Sequence, residues 1–303
     1  MKHLLPDEQG GHIRWKSLIR MMKLLCLFGV VCLPVTAGVR AQESPPSAPS
    51  PAQGNAFQLA KELANPVASL ISHPFQSNFD FGLGPNHNGF RYTLDFKPVV
   101  PFKLGPDCKL ISIVAVPVVH QRDVFGTTSQ TGLSDIVPSF FFSPNKTAPF
   151  IWGAGPAILV PTATNHLLGT QKFGIGPTFV ILKQQKGWTY GVLCNHIWSV
   201  AGATSRADVN ATYLQPFASY TTKSAWTFSL DTESSYDVTG QTWSVPVLFT
   251  ATKLLIVGET PMSLGGGVRC WVTSPAGGPQ NCGFRLSITP LFLKKHKAHT
   301  SEP

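Results

Sequence analysis

Apolar and polar side chains alternate along most of the chain. Residues 90–102 carry an apolar side chain at every second position, and Arg91, Asp95 and Lys97 lie between them. Residues 284–292 repeat this pattern. Because successive side chains of a β-strand point to opposite faces, a period of two predicts strands with one apolar and one polar face.

The alternation, divided by turn sequences rich in Gly, Pro and Asn, predicts twelve strands. Most of them are longer than ordinary globular strands and long enough to cross a bilayer when tilted. An even number of such strands favours an all-β fold, a transmembrane antiparallel β-barrel of about twelve strands, because closure pairs every backbone group in lipid. A secreted β-sandwich is the alternative. The predicted strands are 74–83, 89–102, 109–121, 133–143, 149–161, 171–184, 187–199, 209–221, 225–238, 242–253, 262–272 and 282–293.

Aromatic residues near the predicted strand ends are typical of the girdles that a barrel places at the membrane interfaces. These residues are Tyr92, Trp152, Trp188, Tyr190, Trp198, Tyr220, Trp226, Trp243 and Trp271.

Prolines inside the predicted strands each remove a ladder donor. We expect most of them to mark bulges or strand ends along the outward row at one rim. They are Pro98, Pro117, Pro138, Pro156, Pro177, Pro216, Pro246 and Pro290.

The beginning of the chain has the pattern of an export signal. Basic residues precede the apolar run 24–35, and Val39 and Ala41 stand where signal peptidase prefers small residues. We therefore predict a signal peptide over 1–41. An uncleaved anchor is the alternative, but the run is shorter than the ~20 residues that a spanning helix needs.

The remaining chain divides into three predicted regions. Residues 42–73 combine a Pro/Ser-rich linker with a short amphipathic helix at 56–64. The sequence leaves three roles open for this helix: it plugs the lumen, it rests on the periplasmic rim, or it is a spacer. Residues 74–293 form the barrel, and 294–303 form a basic tail.

Composition argues against a nucleic-acid partner. Only 13% of residues are charged, about half the usual share of a soluble domain. The net charge of +9 falls to +5 when residues 1–41 are removed, and no basic cluster with interleaved aromatics remains. The expected location is the bacterial outer membrane. The expected partners are its lipids, the barrel assembly machinery and an unidentified small solute, and no cofactor is expected.

Side-chain parity predicts which charges face the lumen, because a charge facing lipid would cost a few kcal/mol. These residues either line a polar pathway or form an ion-paired plug. The lumen-lining candidates are Asp80, Arg91, Asp95, Lys97, Asp135, Asp231, Glu233, Arg269 and Arg285.

Six stretches of the chain resemble one family of proteins. They are LANPVASLIS (63–72), PFQSNFD (74–80), GAGPAILVPT (153–162), NHIWSVAG (195–202), NATYLQPF (210–217) and WSVP (243–246). Together they resemble bacterial outer-membrane proteins of the phenol-degradation meta-pathway type, often labelled neuromedin U. The resemblance implies an outer-membrane barrel that acts as a passive transporter of small solutes, hydrophobic or aromatic ones included. It implies no catalytic residues.

Cysteine positions and scattered polar residues give few signs of chemistry. Cys270 and Cys282 flank a turn-rich stretch, which predicts a disulfide across a hairpin in an oxidising compartment. Asn195, His196 and Ser199 suggest an outer-membrane hydrolase, but His196 and Ser199 would lie on opposite faces of a strand. The histidines have no metal-ligand spacing. We expect a non-enzyme, with a plugged structural or adhesive barrel as the alternative.

Overall fold

The computed structural model describes residues 51–146 and 149–292. The signal peptide predicted over 1–41, the first part of the predicted linker and the basic tail predicted over 294–303 lie outside these residues.

One helix, α1 (Pro51–Leu63), and sixteen strand segments make up the described chain. No helix in the described ranges is long and apolar enough to cross a membrane. The strand segments are β1 (Ile71–Ser72), β2 (Phe75–Leu83), β3 (Gly89–Phe96), β4 (Val99–Lys103), β5 (Cys108–Arg122), β6 (Ser129–Leu133), β7 (Val137–Pro144), β8 (Ile151–Leu159), β9 (Lys172–Gln185), β10 (Trp188–Gly202), β11 (Asn210–Thr221), β12 (Trp226–Thr232), β13 (Ser234–Asp237), β14 (Thr242–Val257), β15 (Thr260–Thr273) and β16 (Cys282–Phe292).

The segments form a closed twelve-stranded antiparallel barrel, which confirms the predicted fold class. Four barrel strands are interrupted and contribute two segments each: β1 with β2, β3 with β4, β6 with β7, and β12 with β13. Each barrel strand pairs with the next one in the chain, and β16 pairs with both β1 and β2 to close the wall. Each of the twelve predicted segments overlaps one barrel strand.

The barrel wall separates apolar from polar side chains as the alternation predicted. In β16, Phe284 and Leu286 are exposed on the outer face, whereas Arg285 between them is buried on the inner face. Pairing keeps the faces separate because residues opposite each other share a side. The inward pair Asp80 and Arg91 is one such pair.

The two rims of the barrel differ. The terminal rim contains the start of β2, the end of β16 and connections of at most six residues, whereas the connections at the distal rim reach twelve. Short turns at one end and longer loops at the other are typical of outer-membrane barrels. Connections at the terminal rim are 104–107, 145–150, 186–187, 222–225 and 258–259, and those at the distal rim are 84–88, 123–128, 160–171, 203–209, 238–241 and 274–281.

The prolines do not all follow the outward row at one rim, so that expectation is wrong for part of the set. Pro117 pairs with the inward Asp95, and Pro246 is buried on the inner face. Pro156 and Pro177 lie opposite each other within the sheet. Pro98 fits the expectation of a break, because it follows the end of β3, where a missing donor interrupts the ladder.

One predicted girdle residue, Trp271, faces the lumen, so its assignment to the outer surface is wrong. Its indole Nε1 donates to Asp80 Oδ1 at 2.9 Å. Trp271 follows Arg269 by two residues, so a regular strand places both on the same inner face. The exposed girdle residues on the outer surface are Trp152, Trp188, Tyr190, Trp198, Tyr220, Trp226 and Trp243.

The chain before the barrel lies inside its terminal end. Leu59 of α1 packs in a cluster with Leu254 and Leu291 of the inner wall. Val67 is fully buried among inward side chains that include Phe141 and Leu182. The helix therefore occupies the lumen, and it spans residues 51–63 rather than the predicted 56–64.

Candidate functional site

Charged side chains meet in the middle of the lumen and form what we call the luminal ion cluster. The Arg285 guanidinium donates to both carboxylate oxygens of Glu233, at 3.1 and 2.7 Å. Arg269 Nη1 donates to Asp80 Oδ2 at 2.9 Å. The cluster consists of Asp80, Asp95, Lys97, Glu233, Arg269 and Arg285.

Glu233 connects distant parts of the wall. It lies in the gap between β12 and β13, yet its carboxylate contacts Arg285 of β16 and Arg269 of β15. It also lies 3.7 Å from Lys97 Nζ, just beyond β3. Lys97 lies five barrel strands from Glu233 around the closed wall of twelve, so this ion pair crosses the lumen.

Amide side chains extend and orient the cluster. Asn78 Oδ1 accepts from Arg285 Nε at 2.6 Å, and Asn78 Nδ2 donates to Asp95 Oδ2 at 3.0 Å. Arg91 donates to Gln121 at 2.9 Å, and Gln121 in turn donates to Gln130 at 3.0 Å. The polar network therefore continues from the cluster toward the distal rim.

Two groups near the cluster keep hydrogen-bonding capacity. Asp231 accepts one long bond, 3.5 Å from Gln215 Nε2. Arg269 Nε is buried and has no partner among the described residues. Buried charges are stable only when they are paired, and the cluster meets that condition while leaving these two groups for water or a solute.

A cavity of about 360 Å³ lies between the luminal ion cluster and the N-terminal segment, residues 51–70 before β1. Lys97, Asp231 and Glu233 line it together with Leu63 and Pro66 of the segment. Hydroxyl side chains of β11 to β16 make up much of the remaining lining: Ser219, Thr227, Ser229, Thr250, Thr252, Ser263, Ser287 and Thr289.

The structure brings eight of the nine predicted lumen-lining residues to this region, and Asp135 is the exception. Asp135 accepts bonds from the Ala163 amide at 3.2 Å and from the Thr170 amide and hydroxyl, each at 2.6 Å. It therefore holds the distal connection 160–171 in place and takes no part in the ion cluster.

Sequence reasoning missed several uncharged members of the site. Asn78 and Gln121 are buried and bonded to charged side chains, and Gln130 is buried and bonded to Gln121. The same parity that placed the charges inside would also have found Asn78, which is two positions before Asp80 on the same polar face, whereas Gln130 lies between two predicted strands.

Cys270 and Cys282 form a disulfide in the structure. They pair directly across β15 and β16, next to the distal connection 274–281. Val268 and Phe284, two residues away on each strand, are exposed on the outer surface. The disulfide therefore lies outside the lumen, and Cys108 and Cys194 are free thiols.

The residues of the suggested hydrolase do not contact one another. His196 Nδ1 pairs with Thr212 Oγ1 at 2.7 Å, and its ring packs 4.2 Å from that of Trp198. The Ser199 hydroxyl donates instead to Asp208 at 3.1 Å. The Lys172 ammonium and this hydroxyl hold the pKa of the Asp208 carboxyl below its usual range. Across the described ranges, no three His, Cys, Asp or Glu residues are grouped to hold a metal ion.

Comparison with known proteins supports the fold. No protein-family model matches the chain, and no curated protein matches its sequence. The structure is similar to that of the COG4313 outer membrane channel from Pseudomonas putida F1, with a TM-score of 0.57 and 12% sequence identity. The match covers 74% of this chain and 94% of that one. At this identity, the likeness concerns the barrel architecture.

Proposed function

We propose that this protein is an outer-membrane channel for the passive transport of small solutes. One observation carries the proposal: a closed barrel with an apolar outer surface encloses buried charges and a cavity in its lumen. The structural likeness to an outer membrane channel supports it. The same proposal includes export through the signal peptide predicted over 1–41 and insertion into the outer membrane by the barrel assembly machinery.

The luminal ion cluster would set the selectivity of the pathway. Its charges have both signs, and Asp231 and Arg269 retain free polar atoms facing the interior. Fixed charges lining a narrow path favour ions of opposite sign. Because ion pairs cross the lumen and the N-terminal segment fills its terminal end, we expect a small conductance.

The lining offers several hydrogen-bonding groups to small polar solutes but only one ring contact to aromatic solutes. Hydroxyl and charged side chains lie beside apolar ones such as Val99 and Leu254, and Phe217 is the single aromatic among the described residues that line the cavity. The aromatic solutes implied by the family resemblance are therefore the second choice. Liposome swelling with a small sugar and with a phenol derivative would separate the two, because only a permeant solute causes swelling.

Single-channel recording in planar bilayers tests the proposal directly. We expect discrete, ohmic steps from refolded residues 42–303. Asp231→Asn removes a lumen charge and should shift the reversal potential in a salt gradient toward anion preference. Asp107→Asn, at an exposed connection of the terminal rim, is the matched control and should leave the reversal potential unchanged.

A barrel that inserts into the bilayer but never conducts would overturn the channel function. It would favour the plugged structural or adhesive barrel, which the lumen-crossing ion pairs also fit. Hydrolysis of a chromogenic ester that is lost in Ser199→Ala would instead revive the enzyme alternative.

A further inference from the structure

A groove of about 660 Å³ lies on the outer surface of the barrel. Pro216 and Ala218, two short outward side chains of β11, lie between Tyr190 of β10 and Leu230 of β12. Tyr190 and Leu230 are both exposed. The groove exists because large side chains rise on both sides of a strip of small ones.

Lysines cluster where this groove approaches the terminal rim. Lys183 lines the groove directly, opposite Tyr190. Lys186 and Lys223 are exposed in the two neighbouring turns, 186–187 and 222–225. Among the described residues, none of these three lysines forms an ion pair, and the outer faces of β9 to β12 carry no acidic side chain.

Aromatic residues show the depth at which this site lies. Trp188 and Tyr220 pack together, with ring centroids 5.1 Å apart, two residue pairs closer to the rim than Tyr190 and Ala218. Trp and Tyr prefer the level of the lipid headgroups. The groove therefore lies at acyl-chain depth, and Lys186 and Lys223 lie at headgroup depth in the turns. Lys183 starts at groove depth, and its ammonium lies 5.7 Å from the ring centroid of Phe150 in the rim connection 145–150.

We infer that this groove binds one anionic glycerophospholipid. An acyl chain lies over Pro216 and Ala218, and the phosphate lies among Lys183, Lys186 and Lys223. The leaflet is the periplasmic one, because outer-membrane barrels keep their short turns on that side. The inference rests on the proposed membrane location but is independent of conduction.

Native mass spectrometry of the detergent-purified barrel tests the inference with phosphatidylglycerol and phosphatidylcholine. We expect one retained phosphatidylglycerol and weaker retention of phosphatidylcholine. The double variant Lys183→Gln with Lys223→Gln should reduce the preference for phosphatidylglycerol over phosphatidylcholine by about fivefold for each lysine removed. Lys103→Gln, an exposed lysine of β4 at the same rim, is the matched control and should change nothing.

Filling the groove tests the acyl-chain half of the site. Ala218→Trp should reduce the retention of both lipids, because the ring takes the space of the chain. Equal retention of the two lipids by the wild type, an equal loss in Lys103→Gln, or full retention in Ala218→Trp would overturn the inference. So would stoichiometric retention of lipopolysaccharide in place of phosphatidylglycerol.

Heat-modifiable migration and conductance are measured on the same preparations. A protein that fails to form a membrane barrel contradicts the proposed function. A conducting barrel without lipid preference contradicts the lipid site alone.

Discussion

Individual residues of the lumen matter most where a buried charge is held by an oppositely charged partner. Glu233 and Arg285 are both strongly buried and bonded through two parallel hydrogen bonds. A buried pair contributes little net stability against an apolar replacement, but the loss of one partner leaves a buried charge without compensation. The loss of stability caused by a substitution in this cluster therefore depends on whether a buried charge remains without its partner.

Glu233→Ala should lower the free energy of unfolding by about 3–5 kcal/mol, because the Arg285 charge stays buried without its partner. The double variant Glu233→Gln with Arg285→Gln should regain much of that loss. Urea unfolding in lipid vesicles, followed by tryptophan fluorescence, measures both. The control is Lys146→Gln, which breaks an exposed pair with Asp107 and should cost no more than about 1 kcal/mol. A double variant less stable than Glu233→Ala would contradict this account.

At the scale of elements, strand contacts depend on close backbone approach at the closing seam. Gly283 of β16 faces inward beside β2, where an added Cβ would collide with the carbonyl oxygen of Phe79. A side chain there must push the two closing strands apart. Gly105, in a connection at the terminal rim, has open space around the same position.

Gly283→Ala should destabilise the barrel by about 1–3 kcal/mol, the usual cost of overpacking. The temperature at which heat-modifiable migration is lost should fall. Gly105→Ala should leave this temperature unchanged. If both variants behave like the wild type, the closing strands are looser than the structure shows.

The N-terminal segment is the second element whose role can be tested. Val67 is fully buried and packs among inward apolar side chains, including Phe141 and Leu182. Val67→Asp would bury a charge without a partner, so we expect the segment to leave the lumen and the single-channel conductance to rise at least twofold. Gln58→Asp, exposed on α1, is the control that should keep the wild-type conductance. An unchanged conductance in Val67→Asp would show that the segment does not limit the pathway.

At the scale of the whole molecule, the barrel has an apolar exterior that suits lipid. Leu286 and Ile288 of β16 are exposed on it, 54% and 49% respectively. Rows of exposed apolar side chains do not stabilise a protein in water, whereas in a membrane barrel each such side chain contacts lipid favourably.

Leu286→Arg should therefore reduce the stability of the barrel in vesicles by about 2–4 kcal/mol, the cost of an arginine at the lipid face. Thr239→Arg, in the exposed distal connection 238–241, should have little effect. Equilibrium unfolding in vesicles of matched thickness measures the difference. Equal stability of the two variants would show that the row around Leu286 does not face lipid.

The sequence by itself determined the barrel class, the number of strands and the faces of the charged residues. These properties follow from a local rule, the alternation of side chains along each strand, so the inward placement of Arg285 can be predicted without its neighbours. Trp271 obeys the same rule, because it lies two positions beyond the inward Arg269 and therefore also faces the lumen.

Only the tertiary structure decided which charges meet across the lumen and where the N-terminal segment lies. Arg269 and Asp80 are 189 residues apart, and Arg285 and Glu233 are 52 apart. Such contacts depend on barrel closure, on strand stagger and on the diameter of the lumen, which no single strand specifies. The outer groove along Pro216 and Ala218 arises in the same way, because its walls belong to neighbouring strands.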